Sequence, residues 1–244
     1  MFKLITRSIF IIAIASVFSK NAPASEVATI YTSYIPPVVL DDPKRPGLAY
    51  EIIVELFSIA DKKYKIIPLP WARAQHMAKN TPESLIFPFS RTPTREEFYE
   101  WRVNIFNNQT HFITFNDIKL TAKTARGKKI GVQLKSSWDN WLTEQGYQDI
   151  YRIPQAGAEF VKLLRNNRLD AWYTDLMISS SILKEFDPSE ITFSEPIQIF
   201  RTYLATHKAS PYPHIDELAV AMEDLKKSGK LDQIFKKYEV IPNY

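Results

Sequence analysis

Residues 27–33 alternate apolar and polar side chains and are rich in β-branched types, which predicts a strand. Between 49 and 63 the period changes. Apolar residues recur at 49, 52, 53, 56, 57 and 60, the spacing of a helix with one buried stripe. Tyr34-Ile35-Pro36-Pro37 and a polar, proline-containing stretch at 41–47 make the connection between the two. A second strand is predicted over 64–69, stopped by Pro70, and a second helix over 71–79, closed by Asn80-Thr81-Pro82. The apolar run Leu85-Ile86-Phe87-Pro88-Phe89 is a third, buried strand. Strand, helix, strand, helix, strand is the order of a parallel sheet with right-handed crossovers.

The chain then turns through Ser90-Arg91-Thr92-Pro93-Thr94-Arg95, and Glu96-Glu97-Phe98-Tyr99 is predicted to begin a helical turn. A strand at 110–115 follows, and the cycle starts again. Strands are expected at 129–133, 149–153 and 170–174. Helices are expected from Ser136 or Ser137 through Gln145, over 158–168, and from Asp175 to about Phe186. A β-rich segment at 197–206 precedes a helix over 213–228, with proline near its start and Gly229 past its end, and a short helix over 231–238. The pattern describes two similar α/β units, plus a helical tail that the second unit does not need.

The first 24 residues stand outside this pattern. Lys3 and Arg7 precede an apolar run from Ile9 to Phe18, and Ala22-Pro23-Ala24 offers small residues for cleavage. The run is about half the roughly 20 residues a spanning helix needs, so a secretory signal cut after Ala24 is expected. That changes the charge argument. The 244-residue chain has a formal charge of +4, and removing Lys3, Arg7 and Lys20 leaves 28 basic against 27 acidic residues. The basic pI is thus partly a leader effect and does not point to nucleic acid. With no cysteine, disulfides, thiolate metal sites and a lipid-anchoring cysteine are excluded. The mature chain is expected to be soluble, exported and monomeric.

In open α/β sheets, ligands bind outside the carboxyl ends of the strands. The residues expected there are Tyr34, Trp71, and Ser90 with Arg95, then Lys135-Ser136-Ser137 and Asp175. A guanidinium and a hydroxyl suit a carboxylate, and a helix N-terminus adds backbone donors. A lone carboxylate suits an ammonium, while Tyr34 and Trp71 supply apolar or cation–π faces. The set describes a site for an α-amino acid. Each residue also has a plainer reading: two solvated arginines in a surface turn, Asp175 and Ser136 as helix caps, Trp71 as packing.

At these residues the chain resembles the bacterial extracellular solute-binding proteins of family 3, the periplasmic polar-amino-acid receptors of ABC transporters. Ser90 to Arg95 is similar to the family's Thr-x-Thr-x-x-Arg. Lys129-Ile130-Gly131-Val132-Gln133, followed by Ser136, resembles the strand that opens the second lobe. Arg168-Leu169-Asp170-Ala171 with Asp175 resembles the Arg-x-Asp-Ala segment and the ammonium-binding aspartate. Gly229-Lys230-Leu231-Asp232-Gln233-Ile234 with Lys237-Tyr238 resembles the C-terminal signature. The chain departs from the pattern at Lys135, where a glycine is usual and where bulk and charge at the cleft are expected. It departs also at Ser90 for threonine, at Glu83-Ser84, and at Trp101-Arg102-Val103-Asn104.

The resemblance implies an α/β fold of the two-lobed, type II-like periplasmic binding protein kind, each lobe a sheet flanked by helices. The first lobe is expected to comprise 26–112 plus 202–244 and the second 117–198, with crossings near 112–116 and 198–203. Arg95 and Ser90 would bind the ligand's α-carboxylate with donors at Ser136; Asp175 would bind the α-ammonium, and Tyr34 and Trp71 would cover the side chain. No cofactor, metal or catalytic residue is implied. The partner is an ABC transporter permease or, for a sensory or orphan binding protein, a membrane receptor. A dehydratase-like enzyme on the same scaffold is the other alternative. The histidines at 76, 111, 207 and 214 show neither a metal spacing nor a serine-histidine-acid set for it.

Overall fold

The computed structural model describes residues 27–155 and 157–244; the expected leader lies outside them. The first unit runs β1 (Val27–Thr32), α1 (Leu48–Ile59), β2 (Lys63–Pro68), α2 (Trp71–Asn80) and β3 (Leu85–Ser90). β1 pairs in parallel with β2 on one side and β3 on the other. The buried stripe of α1 is Leu48, Ala49, Ile52, Ile53, Leu56 and Phe57, the face its periodicity marks. The second unit runs β5 (Ile130–Gln133), α3 (Ser137–Glu144), β6 (Ile150–Ile153), α4 (Glu159–Arg165), β7 (Ala171–Asp175) and α5 (Leu176–Leu183). β5 is again flanked in parallel by β6 and β7.

Two long antiparallel strands join the units: β4 (Tyr99–Thr114) and β9 (Gln198–His207). β9 pairs with β3 between Thr202 and Thr206, whereas β4 pairs with β7 between Thr110 and Ile113. A two-residue strand, β8 (Thr192–Phe193), also adds to β4. The result is one continuous nine-stranded sheet in the order β2-β1-β3-β9-β4-β7-β5-β6, rather than a separate sheet in each unit.

β4 bounds one expectation and corrects another. Residues 96–98 form a turn, with Phe98 N donating to the Arg95 carbonyl at 3.1 Å, that does not go on into a helix. A 3₁₀ turn at Pro93–Arg95 closes the loop early, with Pro93 fixing its first residue, and the strand begins at Tyr99. The strand is also far longer than the expected 110–115. Tyr99, Val103 and Ile105 keep an alternation whose buried face packs on the core, and the polar Asn107-Asn108-Gln109 that hid this lies at the crossing.

The helical tail, α6 (Ile215–Lys227) and α7 (Lys230–Lys237), returns to the first unit. The Tyr238 hydroxyl accepts from Gly47 N (2.9 Å) and donates to Glu51 (2.7 Å). Lys62 pairs with Glu217 at 2.8 Å. Among the described residues no helix is long and apolar enough to cross a membrane.

Gly47 ties this packing to the ends of the strands. It precedes α1 with φ of 107°, and a Cβ there would sit 2.5 Å from the Val38 carbonyl oxygen. Gly47→Ala therefore meets both a left-handed backbone and a backbone clash. It should lower unfolding free energy by about 1–3 kcal/mol in a denaturant titration.

Candidate functional site

The carboxyl ends of β1, β3, β5 and β7 converge on one cavity, with the middle of β4 and β9 as its floor. It leaves about 40 Å³ for the centres of water-sized spheres. Of the six residues expected at the site, Trp71, Ser90, Arg95, Ser136 and Asp175 line it. Tyr34 does not. Its half-buried ring sits outside, its hydroxyl donating to Asp41 at 3.1 Å, and the next turn of the loop presents Ile35 and Val38 instead.

Arg95 is 5% exposed, at the end of the 3₁₀ turn that Pro93 nucleates. Its guanidinium donates to the Ser90 carbonyl (2.6 Å), to Gln75 Oε1 (3.0 Å) and to the Lys135 carbonyl (3.2 Å), and lies 4.0 Å from the centroid of Phe89. None of the described carboxylates forms an ion pair with it. Burial pushes its pKa down to about 9, so it remains a cation at neutral pH without a counter-charge. Arg91, four residues earlier, is exposed and gripped by Glu96 at 2.6 and 3.0 Å.

Asp175 is 3% exposed at the end of β7. It does cap α5, accepting from Ile178 N at 2.8 Å, so the plain reading of this residue holds. It also lines the cavity, and no cation pairs with it there. Burial pushes its pKa up to about 7, against the pull of the Ile178 and Met177 amides. Ser136 likewise caps α3, accepting from Asp139 N at 3.0 Å. This puts the N-terminal turn of α3, through Ser137 and Trp138, on the cavity.

The backbone of Lys135, rather than its side chain, reaches the cleft. Its φ of 59° is left-handed, the conformation for which glycine is the usual residue. That turn leaves the lysine side chain exposed and aims its carbonyl at Arg95 and at Gln75 Nε2 (3.1 Å). Asp139 holds the Lys135 amide at 2.9 Å. Expected charge in the cleft at this position is thus replaced by a carbonyl acceptor.

Several lining residues escaped the sequence reading. Gln133 ends β5, where the same strand-end rule could have found it. Asn108 and Thr202 lie mid-strand in β4 and β9, outside the reach of that rule, and their side chains meet at 3.2 Å; Ser90 Oγ reaches Thr202 Oγ1 at 3.3 Å. Trp71 packs edge-on to Phe89 at 5.8 Å and closes one side. Among the described residues no cluster of histidines and carboxylates could hold a metal ion.

Asp175 gives the protein a pH signature. Its folded pKa lies above its unfolded one, so its contribution to stability is present below about pH 4 and is lost as pH rises through about 7. Asparagine caps helices as well as aspartate and carries no charge. Asp175→Asn should therefore stabilise the protein at pH 8 by roughly 1–4 kcal/mol, with the gain vanishing toward pH 4 in denaturant titrations.

No family model matches the chain, and no curated protein matches it. Solved structures do. A histidine kinase sensor domain with similarity to periplasmic binding proteins superposes with a TM-score of 0.79 at 15% identity, covering 89% of this chain and 98% of that one. The ligand-binding core of GluR0 from Nostoc punctiforme, in complex with L-glutamate, gives 0.75 at 18%, covering 86% and 98%. An ABC uptake transporter substrate-binding protein from Streptococcus pneumoniae, with bound histidine, gives 0.75 at 19%, covering 87% and 92%. The chain has the α/β fold of the two-lobed periplasmic binding proteins.

Proposed function

We propose that this protein is an exported solute-binding protein of the family 3 kind. It captures a small zwitterion, a polar amino acid, between two lobes, and catalyses no reaction. The observation that carries this reading is one cavity holding a buried cation, Arg95, and a buried carboxylate, Asp175, neither with a counter-charge. Stranding a buried charge costs about 3–5 kcal/mol, and a zwitterion relieves both charges at once. Arg95, with Ser90 and the N-terminal turn of α3 at Ser136, takes the carboxylate; Asp175 takes the ammonium; Trp71 covers the rest.

The lobes are residues 26–112 plus 202–244 and residues 117–198, joined through β4 and β9. Arg95 belongs to the first and Asp175 to the second, so a bridging ligand favours the closed arrangement over any open one. The leader, cut after Ala24, delivers the chain to the periplasm as a monomer, and the closed form hands its ligand to an ABC transporter permease. A second reading, in which the closed form signals to a membrane receptor, is favoured by the superposition on a sensor domain over nearly all of that domain's length.

Calorimetry against the amino acids tests the site. Arg95→Ala should weaken the best ligand by roughly a hundredfold or more, and Arg91→Ala, on an exposed ion pair, by less than about tenfold. Asp175→Asn should do comparable harm to the amino acid and much less to its deaminated analogue. Equal losses for the two arginines would refute the assignment. Because Asp175 must ionise to meet an ammonium, wild-type affinity should tighten about tenfold from pH 6 to pH 8. A pH-independent affinity would remove Asp175 from the site.

A further inference from the structure

Resting on the reading of the cavity as an amino-acid site, we infer that the ligand's side chain is small, uncharged and carries a hydrogen-bond acceptor, and that Gln133 selects it. The hydroxyl and carboxamide amino acids are the class that fits.

Charge decides first. Among the described residues, Arg95 and Asp175 are the only charged side chains on the cavity wall. The ligand's own carboxylate and ammonium occupy them both. A guanidinium, ammonium or second carboxylate on the ligand would then be buried with nothing of opposite sign to meet it, and binding would fall by a hundredfold or more.

Unmade hydrogen bonds decide next. Gln133, 3% exposed on the cavity wall, has a buried Nε2 with no hydrogen-bond partner among the described residues. The buried indole Nε1 of Trp138, on the same wall, has none either. Both are donors, and a donor buried without an acceptor is a standing penalty that a ligand oxygen removes. The acceptor the ligand must bring is a hydroxyl or a carbonyl. The opposite wall is polar but neutral: Asn108 Nδ2 and Ser90 Oγ converge on Thr202 Oγ1. A purely aliphatic side chain would leave Gln133 unsatisfied, because no protein group supplies what it lacks.

Size sets the upper limit. The cavity is narrow, bounded by Trp71, Phe106 and Trp138, and this favours a compact ligand over one with an extended side chain.

The test is calorimetry of the mature protein with serine, threonine, asparagine and glutamine, beside alanine, arginine, lysine, aspartate and glutamate. At least one of the first four should bind a hundredfold or more tighter than any charged amino acid. Gln133→Leu, close in size but without the donor, should weaken that ligand at least tenfold more than it weakens alanine. Gln133→Glu, which keeps the size should the leucine variant fold poorly, should narrow the gap between the best neutral ligand and 2,3-diaminopropionate at least tenfold. Arginine or glutamate binding as tightly as the neutral four, with Arg95 still required, overturns the inference and leaves the amino-acid site standing. Equal losses for alanine and the best ligand in both Gln133 variants overturn the role of Gln133. No binding by any amino acid overturns this inference and the reading beneath it together.

Discussion

A guanidinium taken out of water without a carboxylate to meet it is the constraint around which this molecule is arranged. Arg95 is held by dipoles alone: the Ser90 carbonyl at the end of β3, the Gln75 amide from α2, and the Lys135 carbonyl from the turn between β5 and α3. Each is a single partial charge, and together they do not replace a carboxylate. The arrangement also fixes geometry. Because the three acceptors come from three separated parts of the chain, the charge can be held only where β3, α2 and the β5–α3 turn approach one another. The left-handed backbone at Lys135 is part of the same constraint. It costs about 1–2 kcal/mol for a residue with a Cβ, and it is what turns the carbonyl toward Arg95.

Asp175 is the mirror case, with one difference in kind. The Arg95 guanidinium keeps its charge, whereas the Asp175 carboxyl can shed its own by taking up a proton near neutrality. The Ile178 and Met177 amides at the start of α5 favour the ionised form, and burial opposes them more strongly. The carboxyl is therefore poised between its two protonation states near neutrality. The capping role does not compete with this. A cap uses one face of the carboxylate to satisfy helix amides, and that same bond holds the group in place for whatever meets its other face.

The periodic parts of the fold were legible because a single physical rule governs each of them. The stripe of α1 reports which face is buried, the apolar run of β3 reports a strand buried on both, and the hydroxyl or carboxylate before a helix reports its start. Ser90, Arg95, Ser136 and Asp175 were legible as strand-end and cap residues for the same reason. What the sequence hid falls where two rules overlap. β4 is legible only over 110–115; its first half lies before the polar Asn107-Asn108-Gln109, which composition alone marks as a loop. Tyr34 sits one residue before the side chain that faces the cavity, a register that periodicity cannot count in the loop after β1. At Lys135 the side chain is what the sequence displays, whereas the backbone carbonyl is what reaches Arg95. Gln75 belongs to a helix face and reaches the site only through the packing of α2 on the sheet.

The same polar stretch lies where β4 changes neighbours. A sheet that runs unbroken through both units would resist any change in the angle between them, since every ladder bond would have to shear. Here the β4–β9 ladder is irregular between Glu100 and Val103 and again between Asn104 and Phe106, just before the polar stretch. Bulges bend strands and loosen pairing locally. At Asn107 the backbone amide turns away from β9 and donates to the Asn243 carbonyl at 2.6 Å, so the C-terminal residues supply the bond that β7, which begins its pairing only at Thr110, does not. Between Asn104 and Gln109 β4 therefore pairs with β9 and not with β7. The polar residues that conceal the strand in the sequence stay paired to β9, and the Asn107 amide that faces away is satisfied by the tail.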